Sequence, residues 1–207
     1  MLKSNEKYWN KFYSNVKSSR ELTFPSQFAA FTIGEKNKED CLIEIGCGTG
    51  RDSLFFSNFF NNVYACDKSS VVIKKNIRKF KNIKNLKFNE LDVNNLFNFF
   101  KIKKKNKILY ARFLLHSLNN KEILKFINLA SNLLSKNEKI FLEYRSIYDK
   151  TKKKIFSKHY RNFLRSNDIK KMFEKNFFKI DYNVQGKGFA KYKIEDAHVV
   201  RQIFVKL

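Results

Sequence analysis

The sequence predicts an α/β protein in which helices cover both faces of a mainly parallel sheet. Short apolar runs of strand length alternate with longer amphipathic stretches, which is the pattern of parallel strands joined by helical crossovers. The first apolar run passes directly into a turn that holds three of the six glycines, Gly46, Gly48 and Gly50. A chain of 207 residues is long enough to bury a sizeable core, so we expect one domain over residues 1–207.

Aromatic residues mark an amphipathic helix at the start of the chain. Within residues 6–16 the apolar side chains recur at spacings of one, three and four, which places them on one helical face. They are Tyr8, Trp9, Phe12, Tyr13 and Val16. This face either caps the core or lets Trp9 or Tyr13 close over a ligand.

Apolar runs and the breaks between them assign the other elements. They are a short helix within 24–33 that starts near Pro25 or Ser26, strand 40–45, helix 52–60, strand 63–66, helix 69–80, strand 85–91, strand 107–112, a helix capped at Asn119-Asn120 and ending at 134, strand 139–144, helix 163–173, strand 177–184 and strand 199–205. The last two strands are joined by a loop that contains Gly186 and Gly188. Seven strands are therefore expected.

Acidic residues follow the second and third predicted strands. Asp67 lies 17 residues after Gly50, at the expected carboxyl end of the strand beside the first. A strand, a glycine turn, a helix, a second strand and an acid make up the first half of a nucleotide-binding Rossmann unit, in which that acid binds ribose hydroxyls. Glycines at alternate positions indicate a backbone that approaches a ligand closely or takes positive φ.

The chain is strongly basic, with 43 Lys and Arg against 19 Asp and Glu and a net charge of +24. The excess is clustered, because residues 68–110 hold 13 basic and 2 acidic residues and residues 150–180 hold 11 and 2. It either attracts an anionic partner or reflects the compositional drift of an AT-rich genome.

The cysteine pattern and the N-terminus bear on the cellular compartment. Cys41, Cys47 and Cys66 show no CxxC pairing and no His at metal spacing, so we expect buried free thiols and no metal. The first residues carry charge where a signal peptide needs an apolar stretch, and no run is long enough to span a membrane. These features predict a soluble cytoplasmic protein.

Together these motifs resemble the class I S-adenosylmethionine-dependent methyltransferases. The resemblance rests on Glu44-Ile-Gly46-Cys-Gly48-Thr-Gly50, on Asp67, and on Leu91-Asp92-Val93 after the third strand, and it covers about residues 40–145. The turn is GxGxG and not the GxGxxG of dehydrogenases, since Arg51 follows Gly50. The resemblance implies a Rossmann-like seven-stranded sheet whose final strand is antiparallel, with S-adenosylmethionine as cofactor.

The same resemblance implies roles for individual residues. Gly46, Gly48 and Gly50 would pass beneath the methionine part of the cofactor, and Glu44 would orient this turn near the cofactor's cationic groups. Asp67 would accept the ribose hydroxyls, while Asp92 would accept from the adenine amino group and Val93 would pack on the ring. The full predicted cofactor set is Glu44, Gly46, Cys47, Gly48, Gly50, Asp67, Lys68, Asp92 and Val93. We expect a helical cap in residues 1–35, the cofactor-binding core in 40–145, and an acceptor-side helix with the last two strands in 146–207.

A narrower resemblance is to bacterial methyltransferases among surface-polysaccharide and small-molecule tailoring enzymes, and more distantly to thiopurine- and tellurite-type enzymes. It rests on the N-terminal aromatic helix, on Pro25-Ser-Gln-Phe-Ala29, on Tyr110 to His116, on Glu143-Tyr-Arg145, and on His159-Tyr-Arg161.

Candidate acceptor residues follow the fourth and fifth strands, because ligands of open α/β sheets lie beyond the carboxyl ends of the strands. They are Arg112, His116, Glu143, Arg145, His159 and Arg161. Arginines at one cleft suit a phosphate or carboxylate. His116 or His159 could remove a proton from a hydroxyl acceptor, and His116 could instead be a packing residue. His198 is expected to be structural.

Three functions are compatible with the sequence. The first is methyl transfer to a small or glycan-linked acceptor that bears phosphate or carboxylate. The second is methylation of RNA through the basic face, although neither the Asn-Pro-Pro-Tyr of amino-methylating enzymes nor a catalytic Pro-Cys follows the fourth strand. The third is a non-catalytic partner subunit that binds the cofactor.

Overall fold

The computed structural model describes residues 2–15, 24–91, 106–150, 160–192 and 194–207, with side chains from Lys7 onward in the first range. The predicted site residues Asp92, Val93 and His159 lie outside the described residues. The helices are α1 (Leu2–Asn15), α2 (Gln27–Gly34), α3 (Arg51–Phe56), α4 (Ser70–Lys79), α5 (Asn120–Leu133) and α6 (Ser166–Glu174). The strands are β1 (Cys41–Ile45), β2 (Asn62–Asp67), β3 (Leu86–Glu90), β4 (Lys107–Arg112), β5 (Lys139–Arg145), β6 (Phe178–Gly186), β7 (Lys191–Tyr192), β8 (Glu195–Asp196) and β9 (Val199–Lys206).

Seven of these strands form one sheet in the order β3-β2-β1-β4-β5-β9-β6. Strands β1 to β5 pair in parallel, and β9 pairs antiparallel with β5 and β6. The predicted Rossmann-like sheet with an antiparallel final strand is confirmed. The strand order reverses between β1 and β4, and in open α/β sheets ligands bind outside the carboxyl ends of the strands at such a point.

The two faces of the sheet carry separate apolar cores. Neighbouring residues of β1 point to opposite faces, so Ile43 joins the core with α5 and α6, whereas Leu42 joins the core with α2, α3 and α4. In the second core the ring of Tyr110 lies 5.1 Å from Phe28 and 4.9 Å from Phe56, measured between centroids. This packing fixes β1 and β4 beneath α2 and α3.

Two helices start at the predicted capping residues. The side chain of Ser26 accepts the N–H of Ala29 at 3.0 Å and caps α2. Asn119 caps α5 through a reciprocal pair of hydrogen bonds with Glu122, at 3.0 and 2.9 Å. Both predicted starts are confirmed.

Four predicted elements differ most from the observed ones. Helix α1 begins by Leu2, four residues earlier than predicted. Helix α3 ends at Phe56, four residues early, because the following residues form turns. Helix α6 begins at Ser166, three residues late, because Leu164 forms a bridge with Ser146 beside β5. The predicted loop between the last two strands contains the hairpin β7–β8. None of the helices in the described ranges is long and apolar enough to cross a membrane.

Candidate active site

The glycine turn lies at the carboxyl end of β1 and requires glycine at its centre. Gly48 and Gly50 have φ values of 52° and 74°, in the left-handed region that other residues rarely adopt. A Cβ atom on Gly50 would lie 2.9 Å from Cζ of Phe88, so this position also has no room for a side chain. The turn is held to β2, because the N–H groups of Gly46 and Cys47 both donate to the carbonyl of Cys66, at 2.7 and 2.9 Å.

Asp67, at the end of β2, holds the turn from the other side. One carboxylate oxygen accepts the N–H of Gly48 at 2.9 Å and the other accepts the N–H of Ser69 at 2.9 Å. Burial raises the pKa of Asp67, and hydrogen bonds from the backbone, including that of Lys68, oppose the rise. Each oxygen of an ionised carboxylate has a further lone pair, so Asp67 can still accept hydroxyl groups.

The side chain of Glu44 points into the protein interior beneath the glycine turn. It is buried, and it accepts the hydroxyl of Ser53, in α3, at 2.5 Å. Burial, with Asp52 as the next cause, raises the pKa of Glu44 well above 4.5. Glu44 therefore links the strand before the turn to the helix after it.

A buried network around Asp52 supports the same turn and was missed by the sequence reasoning. Asp52 accepts the N–H and the hydroxyl of Ser26, both at 2.7 Å, and the hydroxyl of Tyr110 at 3.0 Å. The signal that could have found it is the acid directly after Gly50-Arg51, together with a serine behind the sole proline. The network joins α2, α3 and β4 under the glycine turn.

Helix α1 lies over the open side of the turn. The hydroxyl of Tyr13 is 2.9 Å from the position that a Cβ on Gly48 would take. Ser69 donates to the side chain of Asn10 at 2.6 Å, and Nζ of Lys75 donates to the carbonyl of Tyr13 at 2.5 Å. Burial first, and Asp67 second, raise the pKa of Tyr13 well above 10. Tyr13 thus lies where a ligand of the turn would pass, and Trp9 stacks on it at 5.8 Å.

Two cofactor candidates in the described residues remain, Cys47 and Lys68. The backbone of Lys68 hydrogen-bonds to Asp67. Cys47 is buried, and burial raises the pKa of its thiol well above 9, so the thiol is protonated and unreactive. Asn76 of α4 donates to the carbonyl of Gly48 at 2.8 Å and braces the turn there. All three cysteines are buried free thiols, as predicted. Within the described ranges, no group of three or more His, Cys, Asp and Glu side chains could hold a metal ion.

On the acceptor side, Glu143 is the centre of a buried ion cluster. Nε of Arg112 and Nε of Arg201 donate to its two oxygens, each at 2.8 Å, and Glu143 is fully buried. Burial alone would lower the pKa of Arg112, but Glu143 and other neighbours raise it overall. Arg201 was missed, because its strand-like surroundings gave no functional signal.

Arg145, at the end of β5, also pairs with carboxylates of this chain. Its guanidinium donates to Asp149 at 2.6 Å and to Glu195 on β8, and it is only 6% exposed. The expectation that Arg112 and Arg145 bind an acceptor anion stays a prediction, and in the structure both already pair with carboxylates of this chain.

Phe113 follows β4 and separates these two arginines. It has a φ of 57°, which is strained for a bulky residue. The face of its ring lies 4.3 Å from the guanidinium carbon of Arg112 and 5.5 Å from that of Arg145. His116 lies edge-on to it at 5.3 Å. The strained residue therefore marks the carboxyl end of β4, where an acceptor would bind.

His116 is buried and its Nδ1 accepts the N–H of Arg145 at 3.4 Å. In the neutral imidazole this bond favours the tautomer that carries its proton on Nε2. The carbonyl of His116 accepts the N–H of Asn162 at 2.7 Å. This bond places the segment after residue 159 beside the site.

That segment brings Arg161 next to Arg145. The side chain of Arg161 is half-buried and makes no ion pair with any residue that the structure describes. Burial, and then the charge of Arg145, lower the pKa of Arg161; Tyr8 of α1 and Glu195 lie near enough to oppose the shift. Arg161 is therefore a cation that lies between α1 and the ends of β4 and β5.

Comparisons with known proteins show what the chain is similar to. Residues 42–137 match the family model described as "Methyltransferase domain". No curated protein sequence matches the chain. A SAM-dependent methyltransferase from Anabaena variabilis has a TM-score of 0.76 at 18% identity, covering 100% of this chain and 96% of that chain. The glycopeptide N-methyltransferase MtfA has a TM-score of 0.70 at 11% identity, covering 89% of this chain and 97% of that chain.

A third solved structure is the magnesium protoporphyrin IX methyltransferase ChlM from Synechocystis with bound SAM, which has a TM-score of 0.61 at 15% identity and covers 86% of this chain and 76% of that chain. The residues present here fit that cofactor, since the glycine turn presents backbone without side chains at the end of β1 and Asp67 keeps lone pairs for hydroxyl groups. The chain therefore carries a methyltransferase domain with the class I fold of S-adenosylmethionine-dependent enzymes.

Proposed function

We propose that this S-adenosylmethionine-dependent methyltransferase acts on an anionic acceptor, a small molecule or a glycan-linked group that carries phosphate or carboxylate. The observation that carries the proposal is Arg161, a half-buried guanidinium without an ion pair among the described residues. A partly desolvated cation binds a phosphate or carboxylate more strongly than an exposed one does. Arg161 differs in this respect from Arg112 and Arg145, which both pair with carboxylates of the chain.

For the cofactor, the proposal keeps the roles that the motif implies. The glycine turn passes beneath the methionine part, Asp67 accepts the ribose hydroxyls, and Asp92 and Val93 hold the adenine. Glu44 acts indirectly in this proposal, through its bond to Ser53. Hydrogen bonds from Gly48 and Ser69 fix the orientation of the Asp67 carboxylate, which supports its role because a fixed acceptor loses little entropy on binding.

For the chemistry, S-adenosylmethionine supplies a methyl group on a sulfonium, and transfer is an in-line displacement. The residues of the chain then act by positioning the acceptor and by excluding water. In the tautomer that the bond from the N–H of Arg145 favours, Nε2 of His116 carries the proton, so a role for His116 as base requires the opposite tautomer. An acceptor that is already ionised, such as a carboxylate, needs no base, which is consistent with an anionic acceptor. His159 stays a predicted base.

The relatives support a small-molecule or glycan-linked class only by analogy. MtfA is a glycopeptide N-methyltransferase and ChlM a magnesium protoporphyrin IX methyltransferase. We further propose that residues 1–207 act as one domain in the cytoplasm, which the buried free thiols support.

The test is transfer of a radiolabelled methyl group from S-adenosylmethionine to a panel of sugar phosphates, nucleotide sugars and carboxylates, with cellular RNA as a separate sample. We expect label in an anionic small molecule. In Arg161→Gln the KM for that acceptor should rise about 10- to 100-fold, the worth of a hydrogen bond to a charged group. The matched control is Arg165→Gln, which removes an exposed arginine from the same segment. An equal KM in wild type and Arg161→Gln contradicts the acceptor assignment.

The two alternatives give different results in the same assay. Label in RNA alone would replace the proposal by RNA methylation, which the exposed basic face of α4 favours. Cofactor binding without transfer to either sample would favour a non-catalytic partner subunit.

A further inference from the structure

An exposed basic surface runs along α4, the turn after it and β3. Residues 68–87 contain eight basic residues and no acidic one. Seven of the eight side chains are exposed; they are Lys74, Lys75, Arg78, Lys79, Lys81, Lys84 and Lys87. We call this set the α4 surface.

Much of the α4 surface has no counter-charge. Lys74, Arg78, Lys81 and Lys84 make no ion pair with any residue of the described ranges. Three lysines elsewhere have acidic partners. Their pairs are Lys107–Glu138 at 2.9 Å, Lys139–Asp181 at 3.4 Å and Lys170–Glu174 at 3.7 Å. A general drift of composition towards lysine does not by itself place eight basic residues and no acid within the 20 residues 68–87.

The helix gains little stability from these charges. Lys74 and Arg78, like Lys75 and Lys79, are like charges at i and i+4, which destabilise a helix. The helix dipole favours Arg78 and Lys79 in the last turn. It does not account for Lys74 and Lys75 in the middle of α4, nor for the lysines of the following turn. The α4 surface is thus better explained by a ligand than by stability.

The α4 surface is attached to the candidate active site. Asn76 donates to the carbonyl of Gly48 at 2.8 Å, and Lys75 donates to the carbonyl of Tyr13 at 2.5 Å. The N-cap of α4, Ser69, is held by Asp67. A polymer that follows the α4 surface therefore begins at the rim of the cofactor site.

We infer that the α4 surface binds the phosphodiester backbone of a nucleic acid. Lys74 and Arg78 are about 6 Å apart along the helix axis and form a row of cations that a flexible chain of phosphates can follow. Contacts of this kind carry no sequence information, so binding is independent of sequence. The inference goes beyond methyl transfer and holds for any acceptor.

A membrane is a poorer partner for the same surface. Helices that lie on a bilayer insert an apolar face. In α4, Val72 and Ile73 are buried against the sheet, and Ile77 is the large apolar side chain left exposed, at 51%. The α4 surface therefore offers charge without an apolar face to insert.

The experiment compares two variants that lose the same number of charges. The test variant is Lys74→Gln, Arg78→Gln, Lys81→Gln and Lys84→Gln. The control is Lys121→Gln, Lys136→Gln, Lys171→Gln and Lys175→Gln, whose residues are exposed on or beside α5 and α6, across the sheet. Binding of a labelled oligouridine of about 16 nucleotides is measured by fluorescence anisotropy between about 50 and 200 mM salt.

We expect the test variant to bind at least about 10-fold more weakly than the control at low salt. The slope of log K against log salt should become shallower by about 3 in the test variant, because four phosphate contacts are lost. An oligothymidine of equal length decides between RNA and DNA as the source of the backbone, and tight binding of either one supports the inference.

Three results overturn it: equal losses in both variants, no binding by wild type at low salt, or tighter binding to anionic phospholipid vesicles than to either oligonucleotide. S-adenosylmethionine binding, measured on the same variants, should be unchanged. A failure of nucleic-acid binding is then distinguishable from a failure of the methyltransferase assignment. Because every substituted residue is exposed, circular dichroism should show both variants folded.

Discussion

The N–H of Gly48 donates to the carboxylate of Asp67 at 2.9 Å and so joins the glycine turn to the end of the neighbouring strand. The second oxygen of that carboxylate accepts the N–H of Ser69, which caps α4. One side chain therefore fixes the turn, β2 and α4 relative to each other. A ligand bound to Asp67 is held at the point where these three elements meet.

Gly48→Ala should weaken S-adenosylmethionine binding about 10-fold, because the turn must shift to relieve a left-handed φ that costs an alanine roughly 1–2 kcal/mol. The added Cβ would also meet the hydroxyl of Tyr13 at 2.9 Å. In a Tyr13→Phe background this contact is absent, so the same substitution should cost less. Calorimetric titration of all four proteins measures the difference. An equal loss in both backgrounds would show that Tyr13 does not lie over the turn.

Glu143→Gln should lower the free energy of unfolding by about 3–5 kcal/mol, because it leaves Arg112 and Arg201 buried without their shared counter-charge. Urea denaturation measures the loss. The control is Asp181→Asn, which removes an exposed carboxylate paired with Lys139 and should cost less than about 1 kcal/mol. Similar losses in the two variants would show that the Glu143 cluster is not a buried ion network.

Glu44 should make the protein less stable as the pH rises. Burial raises its pKa in the folded state above the ordinary value of 4.5, so the native state holds this proton more tightly than the unfolded state. The resulting stability is present below pH 4.5 and is lost as the pH rises through the raised folded value. As the pH rises from about 5 to 8, the free energy of unfolding of Glu44→Gln, measured in urea, should therefore increase relative to that of wild type. A pH-independent difference would contradict this account; Glu90→Gln, at an exposed position, should follow wild type.

Arg145 and Arg161 should respond differently to the same substitution. Arg145→Gln leaves Asp149 and Glu195 without their cation and should cost about 3–5 kcal/mol of stability. Arg161→Gln breaks no ion pair of the described residues, so the free energy of unfolding should change by less than about 0.5 kcal/mol. Thermal and urea unfolding test the contrast. Equal destabilisation would mean that Arg161 is a structural residue.

Local patterns were sufficient to predict the fold and the glycine turn at the end of β1. The glycines at alternate positions and the Asn119 cap are signals within a few residues, and the strands differ from their predicted bounds by at most two residues. The end of α3 was missed because apolar residues continue past Phe56, into turns that also pack on the core.

The partners of the acceptor-side arginines could not be predicted. Glu143 and Arg201 meet across an antiparallel strand pair, 58 residues apart, and Glu195 reaches Arg145 from a hairpin that looked like a loop. Whether an arginine has an ion-pair partner depends on such long-range contacts. This is why the sequence offered Arg112, Arg145 and Arg161 alike as anion ligands, whereas the ion pairs of the described residues distinguish Arg161 from the other two.

Calorimetric titration of S-adenosylmethionine into wild type and Asp67→Ala tests the central claim most directly. Wild type should bind one equivalent, and Asp67→Ala should lose about 10- to 100-fold in affinity, because the ribose hydroxyls lose their charged acceptor and the turn loses its tie to β2. Asp40→Ala, which removes an exposed acid just before β1, should bind as wild type does. Undiminished binding by Asp67→Ala, or none by wild type, would contradict the assignment of the cofactor to this turn.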